Sequence, residues 1–329
     1  MPMQVVFHEL GGADVLKLEE QPLRDPGPGE VRLKVEAIGL NRAEVMFRMG
    51  MYLEQPTFPA RIGYDAAGVI DAVGEGVSHV SAGDRVATIP AFSMNEYGVY
   101  GESAVVPAHA VAPYPDNLSP AEGASIWMPY MTAWGALIHY ANLSAGQSAL
   151  ITAASSSVGI ASIQMAKAAG AVAIATTRGR DKADALIAAG ADHVVVTNEE
   201  NLAERVLSLT DGQGADVVFD PVAGPMVTEL AKATKPGRML FIYGALASDP
   251  TPFPIMEALG RGLSIRGYTL FEVTSKPEIM QKACADITAH LEAGHYVPKV
   301  ARTFPLSDIV DAHRYMESNA QIGKIVVLT

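Results

Sequence analysis

The chain has 329 residues, a length typical of about two domains. Apolar residues make up 49% of it and charged residues 18%, which excludes an intrinsically disordered chain. The formal net charge of −12 disfavours a broad nucleic-acid-binding surface, because acidic proteins repel phosphate backbones. Cys284 is the single cysteine, which excludes an intramolecular disulfide and a four-cysteine zinc cluster.

The chain shows no targeting or membrane signal. The first residues, Met1-Pro2-Met3-Gln4, are not a basic segment followed by an apolar one, so we expect no signal peptide. The longest weakly polar stretch, residues 150–177, is interrupted by three serines, Gln164 and Lys167. Because a membrane helix needs roughly 20 mostly uninterrupted apolar residues, we expect no membrane partner and a cytoplasmic protein.

The first third of the chain is rich in short strand signals. Residues 30–37 alternate polar and apolar side chains with the period of a half-buried strand. Residues 67–70 and 84–89 are further β-like runs, and glycine and proline separate these segments. The pattern predicts a compact β-rich domain.

The spacing of the apolar runs changes after about Pro120. Apolar runs recur roughly every 22–25 residues, a spacing that fits repeated strand-plus-helix units. These runs begin near Ala149, Val172, Val194, Val217, Met239 and Leu263. Helix-like segments lie between them at residues 158–169, 182–189, 202–209 and 226–234. The pattern predicts a doubly wound parallel sheet of six strands, the size of a dinucleotide-binding domain. A helix at residues 279–293 and a strand at residues 324–328 follow.

A small-residue loop follows the first of these strands. The pattern G-x-G-x-x-G brings a backbone close to a pyrophosphate, and here Ala154, Ser156 and Gly159 stand at its three glycine positions. Small side chains still permit that approach, and serine hydroxyls add hydrogen-bonding groups. The candidate cofactor-binding residues of the loop are Ser155, Ser156, Ser157, Val158 and Gly159. A turn that only packs helix on strand is the alternative.

The end of the second strand favours NADPH over NADH. NAD-specific sites usually carry Asp or Glu at this tip, where this chain has Thr177. Arg178, Arg180 and Lys182 follow and form a cationic cluster on an otherwise acidic protein. Guanidinium groups bind a 2′-phosphate through charge-assisted hydrogen bonds. The alternative is a solvated basic loop balanced by nearby aspartates.

Several segments together resemble the medium-chain dehydrogenase/reductase superfamily, and in particular its zinc-independent quinone oxidoreductase branch, which is zeta-crystallin-like. The resemblance covers nearly the whole chain in order. The segments are Gly39-Leu40-Asn41-Arg42-Ala43-Glu44, Gly63-Tyr64-Asp65-Ala66-Ala67-Gly68-Val69-Ile70, Gly83-Asp84-Arg85-Val86, residues 153–159 and Gln321-Ile322-Gly323-Lys324-Ile325-Val326.

The resemblance implies an α/β protein with two domains. Residues 1–122 and 270–329 would form a GroES-like β-rich catalytic domain, and residues 123–269 a Rossmann NADP-binding domain. It further implies that the active site lies in the cleft between them. Family members are commonly dimers, so the expected partners are a small-molecule acceptor and a second copy of the chain.

The resemblance also bears on zinc. Zinc-dependent members carry a ligand cysteine where this chain has Asn41 and a histidine where it has Tyr64. Only Asp65 keeps a carboxylate, in place of the usual glutamate. Because a catalytic zinc site needs thiolate, imidazole and carboxylate ligands, we expect no metal.

A zinc-independent member implies hydride transfer to an activated acceptor, because a plain alcohol needs a strong Lewis acid. We therefore expect an NADPH-dependent reductase of a quinone or an α,β-unsaturated carbonyl compound. Hydrogen-bond donors must stabilise the charge that develops on the acceptor oxygen. By resemblance, the candidate catalytic residues are Asn41, Tyr52 and Tyr64, with Arg42 and Glu44 flanking and orienting Asn41.

Other cofactor contacts follow only from position in the family. They are Thr132, Tyr243, Gly244, Ala245, Thr269, Leu270, Phe271, Asn319 and Lys324. Core packing is the alternative for the aromatic residues. Two further functions stay open: an enoyl-thioester reductase, and a crystallin-like NADPH-binding protein with low turnover.

Overall fold

Sixteen strands organise the computed structural model, which describes every residue from Met1 to Thr329. In chain order they are β1 (Met3–Phe7), β2 (Lys17–Glu20), β3 (Glu30–Gly39), β4 (Ala60–Arg61), β5 (Asp65–Val73), β6 (Arg85–Thr88), β7 (Ser103–Pro107), β8 (Val111–Pro113), β9 (Ser148–Ile151), β10 (Val172–Thr177), β11 (His193–Val196), β12 (Ala215–Asp220), β13 (Thr234–Ile242), β14 (Ser264–Gly267), β15 (Val300–Pro305) and β16 (Lys324–Leu328).

Twelve α-helices connect these strands. They are α1 (Arg42–Arg48), α2 (Met94–Tyr97), α3 (Pro120–Gly123), α4 (Trp127–Trp134), α5 (Ser157–Ala168), α6 (Ala183–Ala188), α7 (Leu202–Leu209), α8 (Val227–Ala233), α9 (Ile255–Arg261), α10 (Phe271–Thr274), α11 (Pro277–Glu292) and α12 (Ile309–Glu317). A π-helical segment, Gly135–Tyr140, continues α4. No helix combines the length and the apolar character that crossing a bilayer requires.

The first unit comprises residues 1–128 and 298–329 and is built on β-sheets. A seven-stranded sheet has the order β15-β16-β3-β5-β6-β8, with β7 also paired to β3, and a three-stranded sheet has the order β2-β1-β4. The predicted alternation continues along β3, where Leu33 and Val35 are buried and Lys34 is exposed. At the end of β3, Gly39 pairs with Asp65 of β5 on one side and Val326 of β16 on the other.

The second unit comprises residues 129–297 and contains the predicted six-stranded sheet. All its strand pairs are parallel, in the order β11-β10-β9-β12-β13-β14. Counted from β9, that order is 3-2-1-4-5-6, the arrangement of a doubly wound dinucleotide-binding fold. The predicted fold class is therefore confirmed. Fully buried side chains from neighbouring strands form the core, including Leu150, Ile174, Val218 and Leu240.

The boundaries between the units lie at 128/129 and 297/298, whereas the resemblance placed them at 122/123 and 269/270. The second difference arises because α11 and the segment after it bond to the second unit. Trp134 Nε1 donates to Asp286 Oδ2 of α11 at 2.8 Å, and Gln164 Nε2 donates to the carbonyl of Val297 at 3.0 Å. The predicted helices end within two residues of the observed ones, and the predicted stops Gly170 and Gly190 follow α5 and α6 with positive φ.

Helix α12 buries a histidine without hydrogen-bond partners in the first unit. His313 is fully buried, its ring meets that of Tyr100 edge-on at 5.9 Å, and neither ring nitrogen has a partner. Burial, assisted by the positive charges of Arg48 and Arg42, lowers its pKa to about 3. The native protein therefore holds His313 neutral under conditions in which an unfolded chain protonates it.

We expect His313 to make the folded protein less stable in mild acid. Because its native pKa lies below the unfolded value of about 6.5, stability falls as pH falls from about 6.5 towards 3, by up to about 1.4 kcal/mol per pH unit. Urea unfolding at pH 6.5 and 5.0 should show wild type losing about 1.5 kcal/mol more than His313→Phe. His109→Gln, at an exposed histidine, is the control and should behave as wild type. An unchanged pH dependence in His313→Phe would disprove the assignment.

Candidate active site

Four polar side chains of the first unit meet where β3 ends. Asn41 is the N-cap of α1, two residues after the end of β3, and Glu44 lies in the first turn of that helix. Asp65 opens β5 and Lys324 opens β16, the two strands paired to Gly39. The side chains of this group, which we call the Lys324 cluster, are all more than nine-tenths buried.

The hydrogen bonds of the Lys324 cluster fix the orientation of the Asn41 carboxamide. Lys324 Nζ donates to Asn41 Oδ1 and to Asp65 Oδ2, both at 2.6 Å. Asn41 Nδ2 faces Glu44 Oε1 at 3.0 Å, Asp65 Oδ2 at 3.1 Å and the Gly39 carbonyl at 3.4 Å. An ammonium group only donates, so the oxygen edge of the carboxamide must face Lys324.

Burial controls the charges of the cluster. It raises the pKa of Glu44 to about 8, although Lys324 and the Asn41 hydrogen bonds oppose the shift. Burial also raises the pKa of Asp65, and the adjacent Lys324 ammonium and the Asn41 amide oppose that shift. Glu44 is thus mostly protonated at neutral pH, while Asp65 and Lys324 form an ion pair. The cluster then carries almost no net charge, which suits a site removed from water.

The cluster does not fit a zinc ion. Asn41 and Tyr64 offer no thiolate and no imidazole, and the remaining carboxylate, Asp65, is bound to an ammonium at 2.6 Å. No three His, Cys, Asp or Glu side chains anywhere in the chain are grouped so that they could hold a metal.

Two tyrosines extend the network away from the cluster. Tyr64 is fully buried, its N–H donates to Glu44 Oε1 at 3.3 Å, and its hydroxyl donates to Glu54 Oε1 at 3.3 Å. Tyr52 is half-buried and hydrogen-bonded to Tyr64, with ring centroids 6.4 Å apart. Burial raises the pKa of Tyr52 to about 12 and that of Tyr64 still further. Both hydroxyls therefore stay protonated at neutral pH and can act as hydrogen-bond donors.

The three predicted catalytic residues are thus linked in one network through Glu44. Glu44 contacts Asn41 as predicted, whereas Arg42 turns elsewhere and donates to the Met316 carbonyl at 2.8 Å and to Asn319. Glu54 was not predicted: it accepts from Ser93 Oγ and from the N–H of Met94 as well as from Tyr64. No local pattern marks Glu54, because its partners come from a distant loop.

The small-residue loop of the second unit has the geometry of a phosphate-binding turn. Ser156 is the N-cap of α5, and its Oγ accepts from the Gly159 N–H at 3.0 Å. A Cβ at Gly159 would lie 2.5 Å from the Ala154 carbonyl oxygen, so only glycine permits this packing. Ser157 and Val158 lie in the first helical turn, where backbone N–H groups lack intrahelical acceptors. These features fit a dinucleotide pyrophosphate.

The basic residues after β10 differ in their contacts. Thr177 ends the strand, as predicted, and Lys182 Nζ lies 3.3 Å from Ser155 Oγ. Arg178 is exposed and in no ion pair. Arg180 is exposed and paired with Glu199, an acidic residue that follows the neighbouring strand β11 and that sequence reasoning missed. Arg178 and Lys182 are therefore the better-placed cations for a phosphate group.

The segment after β13 lies against the same loop. The ring of Tyr243 stacks on Phe219 with centroids 3.9 Å apart, and its buried hydroxyl has no hydrogen-bond partner. Ser156 is close enough to influence the pKa of that hydroxyl, which burial raises well above its usual value. A Cβ at Gly244 would lie 2.7 Å from the Pro221 carbonyl oxygen, while Ala245 is exposed.

The remaining predicted cofactor residues are scattered over the two units. Thr132 is buried on α4, Thr269 precedes α10, Leu270 is buried, and Phe271 opens α10. Asn319 has a positive φ of 59° and accepts a hydrogen bond from Arg42. Their roles toward a cofactor remain predictions. Lys324 has a role that sequence reasoning missed, because its ammonium binds Asn41 and Asp65.

Comparison with known families matches both units. Residues 27–116 match the family described as alcohol dehydrogenase GroES-like domain, and residues 157–287 match the family described as zinc-binding dehydrogenase. Together these matches cover most of the β-rich unit and of the parallel sheet.

Individual relatives match over nearly the full length. Quinone oxidoreductase of Homo sapiens is 33% identical over 326 residues, covering 97% of this chain and 95% of the relative. The Escherichia coli quinone oxidoreductase solved in complex with NADPH has a TM-score of 0.90 at 27% identity, covering 99% of this chain and 100% of that one. The CurK enoyl reductase has a TM-score of 0.89 at 26% identity, covering 99% of each chain. The chain therefore belongs to the medium-chain dehydrogenase/reductase superfamily, in its quinone oxidoreductase branch.

Proposed function

We propose that this chain is a zinc-independent, NADPH-dependent oxidoreductase that reduces a quinone or an α,β-unsaturated carbonyl compound. The observation that supports the proposal is the Lys324 cluster, an ammonium–carboxylate pair with neutral donors around Asn41 and Asp65, two positions at which the resemblance puts metal ligands in zinc-dependent members. Such a site stabilises negative charge on an oxygen atom but has no strong Lewis acid. An acceptor that already delocalises the incoming charge suits it best.

NADPH would be held by the second unit and supplies a hydride when bound. The N-terminus of α5, capped by Ser156, offers backbone N–H groups to the pyrophosphate. Arg178 and Lys182 offer positive charge for a 2′-phosphate at the end of β10, where no carboxylate competes for a ribose hydroxyl. The NADPH complex of the Escherichia coli relative supports this choice of cofactor.

Tyr52 and Asn41 would donate hydrogen bonds to the acceptor oxygen. Tyr52 is half-buried, and its raised pKa keeps its hydroxyl protonated. Asn41 is anchored at its oxygen edge by a 2.6 Å bond, whereas the bonds at its nitrogen edge are 3.0 Å or longer. The nitrogen edge is thus the one that can exchange a partner for an acceptor oxygen. Tyr64 would orient Tyr52.

We also propose that the chain forms a homodimer through its second unit. Strand β14 is an edge strand of the six-stranded sheet, and α9 precedes it. Four large apolar side chains on or beside α9 are more than half exposed: Phe253, Ile255, Met256 and Leu259. An apolar surface next to an open sheet edge is a common site of chain association.

A screen of acceptors tests the function directly. With NADPH and the purified chain, we expect oxidation of NADPH at 340 nm by small quinones or 2-alkenals, and little by saturated aldehydes, which cannot delocalise the charge. Enoyl thioesters belong in the same panel, because the CurK enoyl reductase has a similar fold. Faster turnover of thioesters than of every quinone and alkenal would identify an enoyl-thioester reductase. Tight NADPH binding without oxidation by any acceptor would contradict enzymatic function.

The basic loop tests the choice of cofactor. Because charge-assisted hydrogen bonds contribute about 1.5–3 kcal/mol, Arg178→Ala with Lys182→Ala should raise the Kd of NADPH by about tenfold or more. The Kd of NADH should change less than about twofold, since it lacks the 2′-phosphate. Fluorescence titration with NADPH and with NADH measures both dissociation constants.

A matched control removes two positive charges near the other ends of the strands of the same sheet. Lys235→Ala with Arg238→Ala takes away the partners of Asp216, which lies near the start of β12. This variant should bind both cofactors as wild type does. Equal weakening of NADPH and NADH binding in the Arg178/Lys182 variant would rule out a 2′-phosphate site.

A further inference from the structure

The Lys324 side chain reaches Asn41 only because residue 39 of β3 is a glycine and has no side chain. A Cβ at Gly39 would lie 2.6 Å from Lys324 Cε and 2.1 Å from the carbonyl oxygen of Ala124. Any other residue at this position would therefore displace the lysine or the neighbouring backbone. The glycine admits a charged side chain that is 1% exposed and ends between Asn41 and Asp65.

The pairing of β16 with β3 does not require the ion pair between Lys324 and Asp65. The two strands are already paired antiparallel from Gly39 to Ala37, and the Leu40 N–H donates to the Ile325 carbonyl at 3.0 Å. Buried ion pairs are weak sources of stability, because removing both charges from water costs about as much as their attraction returns. The contacts that distinguish Lys324 from an apolar residue are those to Asp65 and Asn41.

The two edges of the Asn41 carboxamide are held differently. Its oxygen accepts a short bond from a full positive charge, while its nitrogen has two hydrogens and three longer contacts to acceptors. A cation at the oxygen draws electron density from the amide, which makes its N–H groups stronger donors. It also prevents the carboxamide from turning its oxygen toward an acceptor.

We propose that Lys324 is a positioning residue: its ammonium, neutralised by Asp65, holds the carboxamide oxygen of Asn41 so that the N–H edge serves the acceptor. This inference rests on the proposed function, because it assigns Asn41 to the acceptor oxygen. It differs from the resemblance-based expectation, in which Lys324 contacts the cofactor. Lys324 acts through Asn41 and does not touch the reacting atoms.

A double-mutant cycle separates positioning from a structural role. The pair is replaced by apolar residues, Asp65→Leu with Lys324→Met, so that neither charge is left buried alone. In the wild-type background we expect kcat for the best quinone or enone to fall at least tenfold. In the Asn41→Ala background the same replacement should lower kcat less than threefold, because the group on which Lys324 acts is gone.

The same pair replacement in a chain that carries Tyr52→Phe is the matched control for the Asn41→Ala background. Tyr52→Phe removes a donor that Lys324 does not touch, so the pair replacement should still lower kcat at least tenfold there. The Kd of NADPH should stay within twofold of wild type in every variant. Equal losses in the wild-type and Asn41→Ala backgrounds would show a structural role and overturn the proposal. Unchanged kcat, or a tenfold weaker NADPH complex, would overturn it as well.

Crystal structures keep the test independent of activity. In the variant with the pair replaced, the Asn41 carboxamide should rotate away from its wild-type orientation, and an unchanged orientation would contradict positioning. If wild type reduces no acceptor, the proposed function fails, while this orientation still decides whether Lys324 positions Asn41. If Asp65→Leu with Lys324→Met does not fold, Asp65→Asn with Lys324→Met, which preserves volume at position 65, takes its place with the same expected outcomes.

Discussion

A lysine ammonium buried between a carboxylate and a carboxamide is the constraint on which the first unit's site depends. An unpaired charge at this depth would be strongly unfavourable, so Lys324 requires Asp65, and the pair then fixes Asn41. The geometry comes from the sheet: β5 and β16 flank the end of β3, and Gly39 leaves room for the lysine side chain. Burial raises the pKa of Glu44 against the opposing effect of Lys324, and so limits the net charge of the whole cluster.

This constraint connects electrostatics with the proposed chemistry. Carboxylate and ammonium cancel each other, and the groups that we propose for binding the acceptor are neutral donors, the Asn41 amide and the Tyr52 hydroxyl. Donors of this kind stabilise an oxyanion only when the acceptor has spread its charge, as quinones and enones do. In the second unit the pattern is reversed: although the net charge of the chain is −12, Lys182 lies beside Ser155 of the loop before α5, and Arg178 directly follows β10. An anionic cofactor and a weakly charged acceptor suit these two surroundings.

Most of the fold was predictable from the sequence because it depends on local patterns. Periodic apolar runs predicted the parallel sheet, and the small residues from Ala154 to Gly159 predicted the turn that Ser156 caps. The contacts that define the site were not predictable in the same way. Lys324 and Asn41 are 283 residues apart, and Arg180 meets Glu199 through the pairing of two strands. The boundary at 297/298 depends on how α11 packs, which no composition change marks.

Zinc-independent hydride transfer from NADPH to an activated acceptor is tested most sharply by tracing the transferred hydrogen. Protein treated with a chelator to remove zinc is given NADPH deuterated at the transferring position of nicotinamide C4, together with an α,β-unsaturated ketone or aldehyde that it reduces. We expect a saturated product with deuterium on its β-carbon and an undiminished rate after chelation. Product without deuterium, or transfer that returns only when zinc is added, would contradict it.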